Sequence, residues 1–180
     1  LDVYHALARV YRQQGSIGRA IRMHQNLLLR ADLPAEQRQD ALFELARDFD
    51  AGGFKERAVA GYEEVLDSQP RNRHALERLV RLSQELREYP RALTLIKRLR
   101  RLDRAAADAV EVNLLVAYAQ SQLDEGEHEG ARSTVKRCLR RFKTCGEAWE
   151  LLGQIEVERG KDAKALDAWC RGAVADPGIG

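Results

Sequence analysis

Apolar residues recur three and four positions apart along almost the whole chain, with polar residues between them, and this period marks amphipathic helices. One stripe runs through Leu42, Leu45, Ala46 and Phe49, another through Leu76, Leu79 and Val80, and a third through Leu115, Tyr118 and Ala119. The pattern predicts helices over residues 1–14, 17–31, 35–51, 55–68, 72–86, 89–102, 105–124, 128–141, 145–158 and 162–175. Gly15, Gly53, Gly126 and Gly160 fall just past every other helix, where a left-handed C-cap ends a helix at little cost. They read as turn residues and not as a phosphate-binding loop. Pro34 suits the first turn of the third helix.

Aligned with itself, the chain repeats. Its last part carries Trp149, Leu152, Gly153, a turn glycine at Gly160, then Ala165, Trp169 and Pro177. This is the tetratricopeptide pattern of Trp-x2-Leu-Gly-x2-Tyr, Ala-x3-Phe and Pro, with Glu156 in the place of Tyr. The small alanine of the second helix recurs at Ala20, Ala58, Ala92, Ala131 and Ala165, spaced by 38, 34, 39 and 34 residues. The first frame reads Tyr4, Leu7, Ala8, Tyr11, Gly15, and the second closes on Tyr62 and Pro70. The third puts Arg87 where the other frames have a turn glycine. The expected fold is all-α, a right-handed superhelical α-solenoid of five tetratricopeptide (TPR) helix-turn-helix repeats in a single array. Those repeats cover about 1–34, 39–72, 73–106, 112–145 and 146–179, with short insertions before the second and fourth. In such a repeat the small residues let two helices approach and the large ones fill the space between hairpins, so that no helix buries its face alone.

Composition agrees with helices: Ala, Leu, Arg and Glu dominate, and there are 4 prolines. With 30 basic and 28 acidic residues, a formal charge of +2 gives no global field toward nucleic acid or an anionic membrane, so partners must be read locally. Cys138, Cys145 and Cys170 form no C-x-x-C pair and read as packing residues of a reducing, cytoplasmic compartment. No run of 18 apolar residues is present, and the chain starts inside a helical pattern at Leu1, so it reads as a piece of a longer protein.

Catalytic chemistry is not suggested. His5, His24, His74 and His128 lie on different hairpins without a His or Cys three or four residues away, so neither a zinc site nor any other metal site or cofactor is expected in this chain. His24 occupies a large core position and reads as a buried histidine with a satisfied ring nitrogen. No Ser-His-Asp or Cys-His spacing is evident, and the expectation is a non-enzyme.

Binding chemistry is read from the first-helix positions that face a TPR groove. These are His5, Arg9, Arg12 and Gln13, then Asp40, Phe43, Arg47 and Asp50, then His74, Glu77, Arg81 and Gln84. A ladder of Arg9, Arg47 and Arg81 could grip carboxylates or backbone carbonyls of a bound segment, with Phe43 as an apolar contact. The equal alternative is that these arginines are solvated and paired with acids such as Asp40 or Glu77. In the last two repeats the same positions, from Asn113 and Val116 to Glu150 and Glu158, turn acidic. The Lys and Asn clamp of chaperone-binding TPR domains is missing, since His5/Arg9 and Phe43/Arg47 stand there.

Two basic runs, Lys97, Arg98, Arg100, Arg101 and Lys136, Arg137, Arg140, Arg141, occupy equivalent helix ends. Cations there offset the exposed carbonyl dipole; stacking would also merge them into one strip suited to anionic headgroups or an acidic protein surface. Aromatic interleaving is absent, so nucleic acid is not expected. The last helix, with Trp169, has an outer apolar face that further repeats or a second copy of the chain would cover.

The stretch from Leu7 through Tyr62 resembles the lipopolysaccharide assembly protein B family. The resemblance rests on Ala8-Arg9-Val10-Tyr11-Arg12-Gln13-Gln14-Gly15, Arg19-Ala20-Ile21-Arg22-Met23-His24-Gln25, Glu36-Gln37-Arg38, and Leu45-Ala46-Arg47-Asp48-Phe49 closing on Ala51-Gly52-Gly53-Phe54. It implies an adaptor at the cytoplasmic face of the bacterial inner membrane, working with the membrane protease FtsH on the deacetylase LpxC. It also implies an N-terminal anchor and a C-terminal zinc module, neither of which is in these residues. The other reading is a generic peptide-binding, assembly or oligomerisation module unrelated to envelope regulation.

Overall fold

The computed structural model describes residues 2–175, so Pro177 of the last frame lies outside the described residues. Among the described residues ten α-helices follow one another: α1 (Asp2–Gln13), α2 (Ile17–Leu28), α3 (Ala35–Ala51), α4 (Lys55–Ser68), α5 (Arg73–Glu85), α6 (Tyr89–Arg100), α7 (Arg104–Asp124), α8 (His128–Arg141), α9 (Gly146–Glu158) and α10 (Asp162–Ala175). The fold is all-α and of the TPR class, with no strand among the described residues. Asn72 and Asp103 cap α5 and α7 by accepting from Ala75 N–H and Ala106 N–H at 3.0 and 2.9 Å. Pro34 stands one residue earlier than expected, as the N-cap of α3 with extended ψ, because a residue before the first helical turn suits its fixed φ equally well. The insertion before the fourth hairpin is taken up by α7, which at 21 residues is the longest helix.

The chain forms two compact units, residues 1–86 (unit 1, α1 to α5) and 87–180 (unit 2, α6 to α10). Within unit 1 each helix packs on its neighbour in sequence, and α1 also reaches α3. Within unit 2 the order is the same, with α7 also touching α9. The five ruler alanines Ala20, Ala58, Ala92, Ala131 and Ala165 are each 0% exposed, which is what close helix approach requires. Gly61 shows how close: a Cβ there would lie 2.9 Å from the Cβ of Ala46. Large side chains fill the remaining space, with Leu27, Tyr62, Leu76 and Leu79 in unit 1 and Ile96, Leu99, Leu114 and Ile155 in unit 2, each contributing about 1.5–3 kcal/mol on burial.

Four hairpin turns use glycine with φ between 68° and 78°, as expected. The remaining turn puts Arg87 at φ 60°, a conformation that costs a side-chain-bearing residue about 1–2 kcal/mol. Its guanidinium is tied down by a 2.9 Å hydrogen bond to Ser121 Oγ, with Glu125 at 3.8 Å, and this anchorage offsets part of the strain. Tyr4 and Leu7, which the pattern assigns to the core, are instead 45% and 40% exposed, because α1 packs on α2 and α3 with its opposite face.

Candidate functional site

The groove face of unit 1 is built on a buried polar chain. His24, wholly buried on α2, lies 2.5 Å through Nδ1 from Asp48 Oδ2 on α3, and 3.2 Å through Nε2 from His5 Nδ1 on α1. An ionised Asp48 accepts from His24 Nδ1–H, which leaves His24 Nε2 to accept from His5 Nδ1–H. His5 Nε2 is then a lone pair, buried and without a hydrogen-bond partner. Burial, and after it the neighbouring His24, lowers the His5 pKa below its ordinary 6.5, so the ring is neutral near pH 7. The other oxygen of Asp48 accepts from Arg12 Nη1 at 2.6 Å.

Arg12 also donates to Glu44 Oε2 at 2.8 Å, and Glu44 Oε1 accepts from Arg47 at 2.6 Å. Burial alone would raise the Glu44 pKa, but the two guanidiniums outweigh it and hold the carboxyl below its ordinary value. Around this network lie two depressions. One, of about 280 Å³, is lined by His5, Arg9, Asp40, Phe43 and Glu44. The other, of about 250 Å³, is lined by Arg12, Arg47, Asp50, Ala51, Arg78 and Arg81.

The predicted arginine ladder is therefore not uniform. Arg47 is held by Glu44, and Arg81 lies 3.2 Å from Asp50, which also draws Arg78 at 3.4 Å. The partners are Glu44 and Asp50 rather than the expected Asp40 and Glu77; Glu77 pairs with Arg73 at 2.7 Å, with His74 3.8 Å away. Arg9 is exposed and, among the described residues, has no carboxylate partner. Phe43 is half-buried edge-on against Tyr62, centroids 5.8 Å apart, with the Arg47 guanidinium 6.0 Å from its ring centre. Sequence spacing could not have found Asp48, since it meets His24 and Arg12 across 24 and 36 residues.

In unit 2 the residues of the expected basic strip fall into separate groups. Arg100, Arg137 and Arg141 converge on two acids of α7: Glu111, only 4% exposed, and Asp108. Lys136 and Arg140, one residue away in sequence from Arg137 and Arg141, point to another side of α8, because successive helical residues are about 100° apart. They line a cleft of about 660 Å³ between α8, α9 and α10. Lys97, Arg98 and Arg101 are exposed elsewhere on unit 2 and do not line that cleft. The two basic runs thus meet only through Arg100, Arg137 and Arg141, around Glu111 and Asp108, and their remaining cations stand apart.

Cys138 is buried, and desolvation pushes its thiol up to about 12, which removes thiolate chemistry at neutral pH. Among the described residues no three His, Cys, Asp or Glu side chains are arranged to hold a metal ion, and no helix is long and apolar enough to cross a membrane.

Paired helices with small residues at their seams, left-handed turns and charged open faces define a TPR-type repeat scaffold. The chain belongs to the family described as the tetratricopeptide repeat protein 21 C-terminal ARM domain, which matches residues 35–173. It also resembles lipopolysaccharide assembly protein B over nearly its whole length. It is 25% identical to that protein from Escherichia coli K12 over 168 residues, 93% of this chain and 43% of the relative. The Haemophilus influenzae counterpart is 29% identical over 160 residues, 89% of this chain and 40% of the relative. The chain thus spans less than half the length of these relatives. Among solved structures, a crystal structure of MamA protein gives a TM-score of 0.65 at 16% identity, covering 97% of this chain and 90% of that one. A putative kinesin light chain from Podospora anserina with nearly identical TPR-like repeats gives 0.57 at 19% identity, over 97% and 94%. These two likenesses speak to the fold alone.

Proposed function

We propose that this chain is the partner-binding repeat region of a non-catalytic adaptor that regulates lipopolysaccharide synthesis at the cytoplasmic face of the bacterial inner membrane. Its partners in this reading are the membrane protease FtsH and the deacetylase LpxC. The observation that carries it is the free Arg9 beside the half-buried Phe43 in the unit 1 depression, in a chain similar to lipopolysaccharide assembly protein B over 93% of its length. Arg9 offers a charge-assisted grip on a carboxylate or carbonyl, and Phe43 an apolar seat beside it. Arg47 and Arg81, already neutralised, line the second depression of the unit.

The test is capture of the two named proteins from inner-membrane extract by the wild-type chain and by Arg9→Glu, an exposed change that leaves the buried network intact. Loss of the protease or the deacetylase only in the variant supports the reading. Equal retention by both chains, or retention of neither protein, overturns it. The match to the repeat protein 21 family over residues 35–173 favours a second reading, a general assembly module. In that case other partners would be retained through the same groove.

A further inference from the structure

A cleft of about 660 Å³ lies outside that groove, wholly within unit 2, between the second helices of two successive hairpins. Its walls are α8 and α10, and α9 lies at its base. Leu139 and Leu152, both nearly buried, and the half-buried Trp149 give it an apolar floor. Trp149 is fixed there: its Nε1–H donates to the Lys143 carbonyl at 2.9 Å, and the Arg171 guanidinium covers the ring at 5.8 Å.

Six cations line this cleft against two acids, Glu156 and Asp167. Both acids are already used. Glu156, 2% exposed, accepts from Arg132 Nε at 2.5 Å and from Arg159 Nη1 at 2.7 Å. Burial would raise its pKa, but these two arginines outweigh that and hold it ionised. Asp167 is 3.1 Å from Arg171. Lys136, Arg140, Lys143 and Lys164 remain, exposed and without a carboxylate partner among the described residues. Unpaired cations around an apolar floor are complementary to a ligand that carries acids on either side of a greasy group.

Shape chooses among acidic ligands. From Arg132 to Arg140 the wall extends two helical turns, roughly 12 Å, which is about the length of four residues of extended chain. A membrane surface could meet the rim lysines but could not descend to Trp149 and Leu152, whereas a peptide side chain could.

We infer that the cleft between α8 and α10 binds an acidic, extended segment of a partner protein, with an apolar side chain on the Trp149 floor and flanking carboxylates on Lys136, Arg140, Lys143 and Lys164. The site is independent of the unit 1 groove. Affinity should fall steeply with salt, because most of the attraction is between exposed charges.

The experiment is a fluorescence anisotropy titration of the chain with a labelled peptide in which glutamates flank a leucine. It is repeated with the glutamates changed to glutamine, with the leucine changed to serine, and with vesicles rich in phosphatidylglycerol in place of peptide. Proteins are the wild type, Lys136→Glu/Arg140→Glu in the cleft, and Lys97→Glu outside it, each shown to be folded by circular dichroism. The proposal expects the glutamate peptide to bind at least tenfold tighter than either altered peptide, a tenfold or greater loss in the cleft variant, and little change in Lys97→Glu. Equal binding of the glutamate and glutamine peptides overturns it, as does an equal loss in both protein variants. Binding to vesicles without binding to peptide also overturns it, in favour of a lipid surface.

Discussion

Units 1 and 2 are built from the same kind of hairpin and both present arginines and lysines, yet their charges are deployed in opposite ways. In the unit 1 groove nearly every cation is spoken for: Arg12 by Asp48 and Glu44, Arg47 by Glu44, Arg78 and Arg81 by Asp50. In the unit 2 cleft the pairing stops at Glu156 and Asp167, and four cations are left over. The number of basic residues on a face therefore says little about its appetite for acids. What matters is how many carboxylates of the same chain reach them.

The largest effect is expected at the centre of the unit 1 network. Asp48→Ala leaves Arg12 and the wholly buried His24 without their shared carboxylate, and should cost about 3–5 kcal/mol. Both tryptophans are in unit 2, so indole fluorescence follows that unit alone. Urea unfolding followed by circular dichroism should shift in this variant, while the tryptophan transition moves less. Glu156→Ala is the mirror experiment. It strips Arg132 and Arg159 of a buried partner, should cost about 2–4 kcal/mol, and should move the tryptophan transition itself. Equal responses of both probes in both variants would break the comparison.

Acid should separate the units next. His5 has a folded pKa below its ordinary 6.5, so the unfolded chain takes up its proton first as pH falls. The stability that depends on a neutral His5 is complete above pH 6.5 and is lost as pH drops through the lowered folded value, with Asp40 and Glu44 opposing the shift only in part. Circular dichroism melts between pH 7.5 and 5.5 should show this loss in the wild type and a flatter profile in His5→Phe. Tryptophan-detected melts should not follow it. Glu44 and Glu156, both held below their ordinary 4.5, add losses only at still lower pH. The smallest effect belongs to Lys136→Ala, an exposed cation without a carboxylate partner among the described residues, expected within about 0.5 kcal/mol of wild type in urea.

What could be read from the chain alone follows from distance along it. The helices, the ruler alanines and the glycine turns rest on residues within one or two turns of each other, and they stand where the periodicity puts them. The core position of His24 was also legible, because it stands in register with the large side chains of other frames. The partners that decide function were not. Asp48 lies 24 residues from His24, Glu156 lies 24 from Arg132, and Asp108 lies 33 from Arg141, so each pairing depends on how one hairpin seats on the next. Groove positions counted on first helices also direct attention away from the second helices, where the larger cleft lies. Even so, the sequence held one clue to that cleft: Glu156 breaks the repeat pattern at the Tyr position, and it is the acid that holds Arg132 at the cleft wall.

The neighbour-on-neighbour packing of the helices has a consequence for synthesis. Since each helix in a unit finds its main partner in the helix just before or just after it, few contacts wait for distant parts of the chain. Topologies of that kind close small loops and fold quickly. As the polypeptide leaves the ribosome, α1 to α5 can settle into their stack while α6 to α10 are still being made. The buried His24 can then be sheltered before unit 2 is complete.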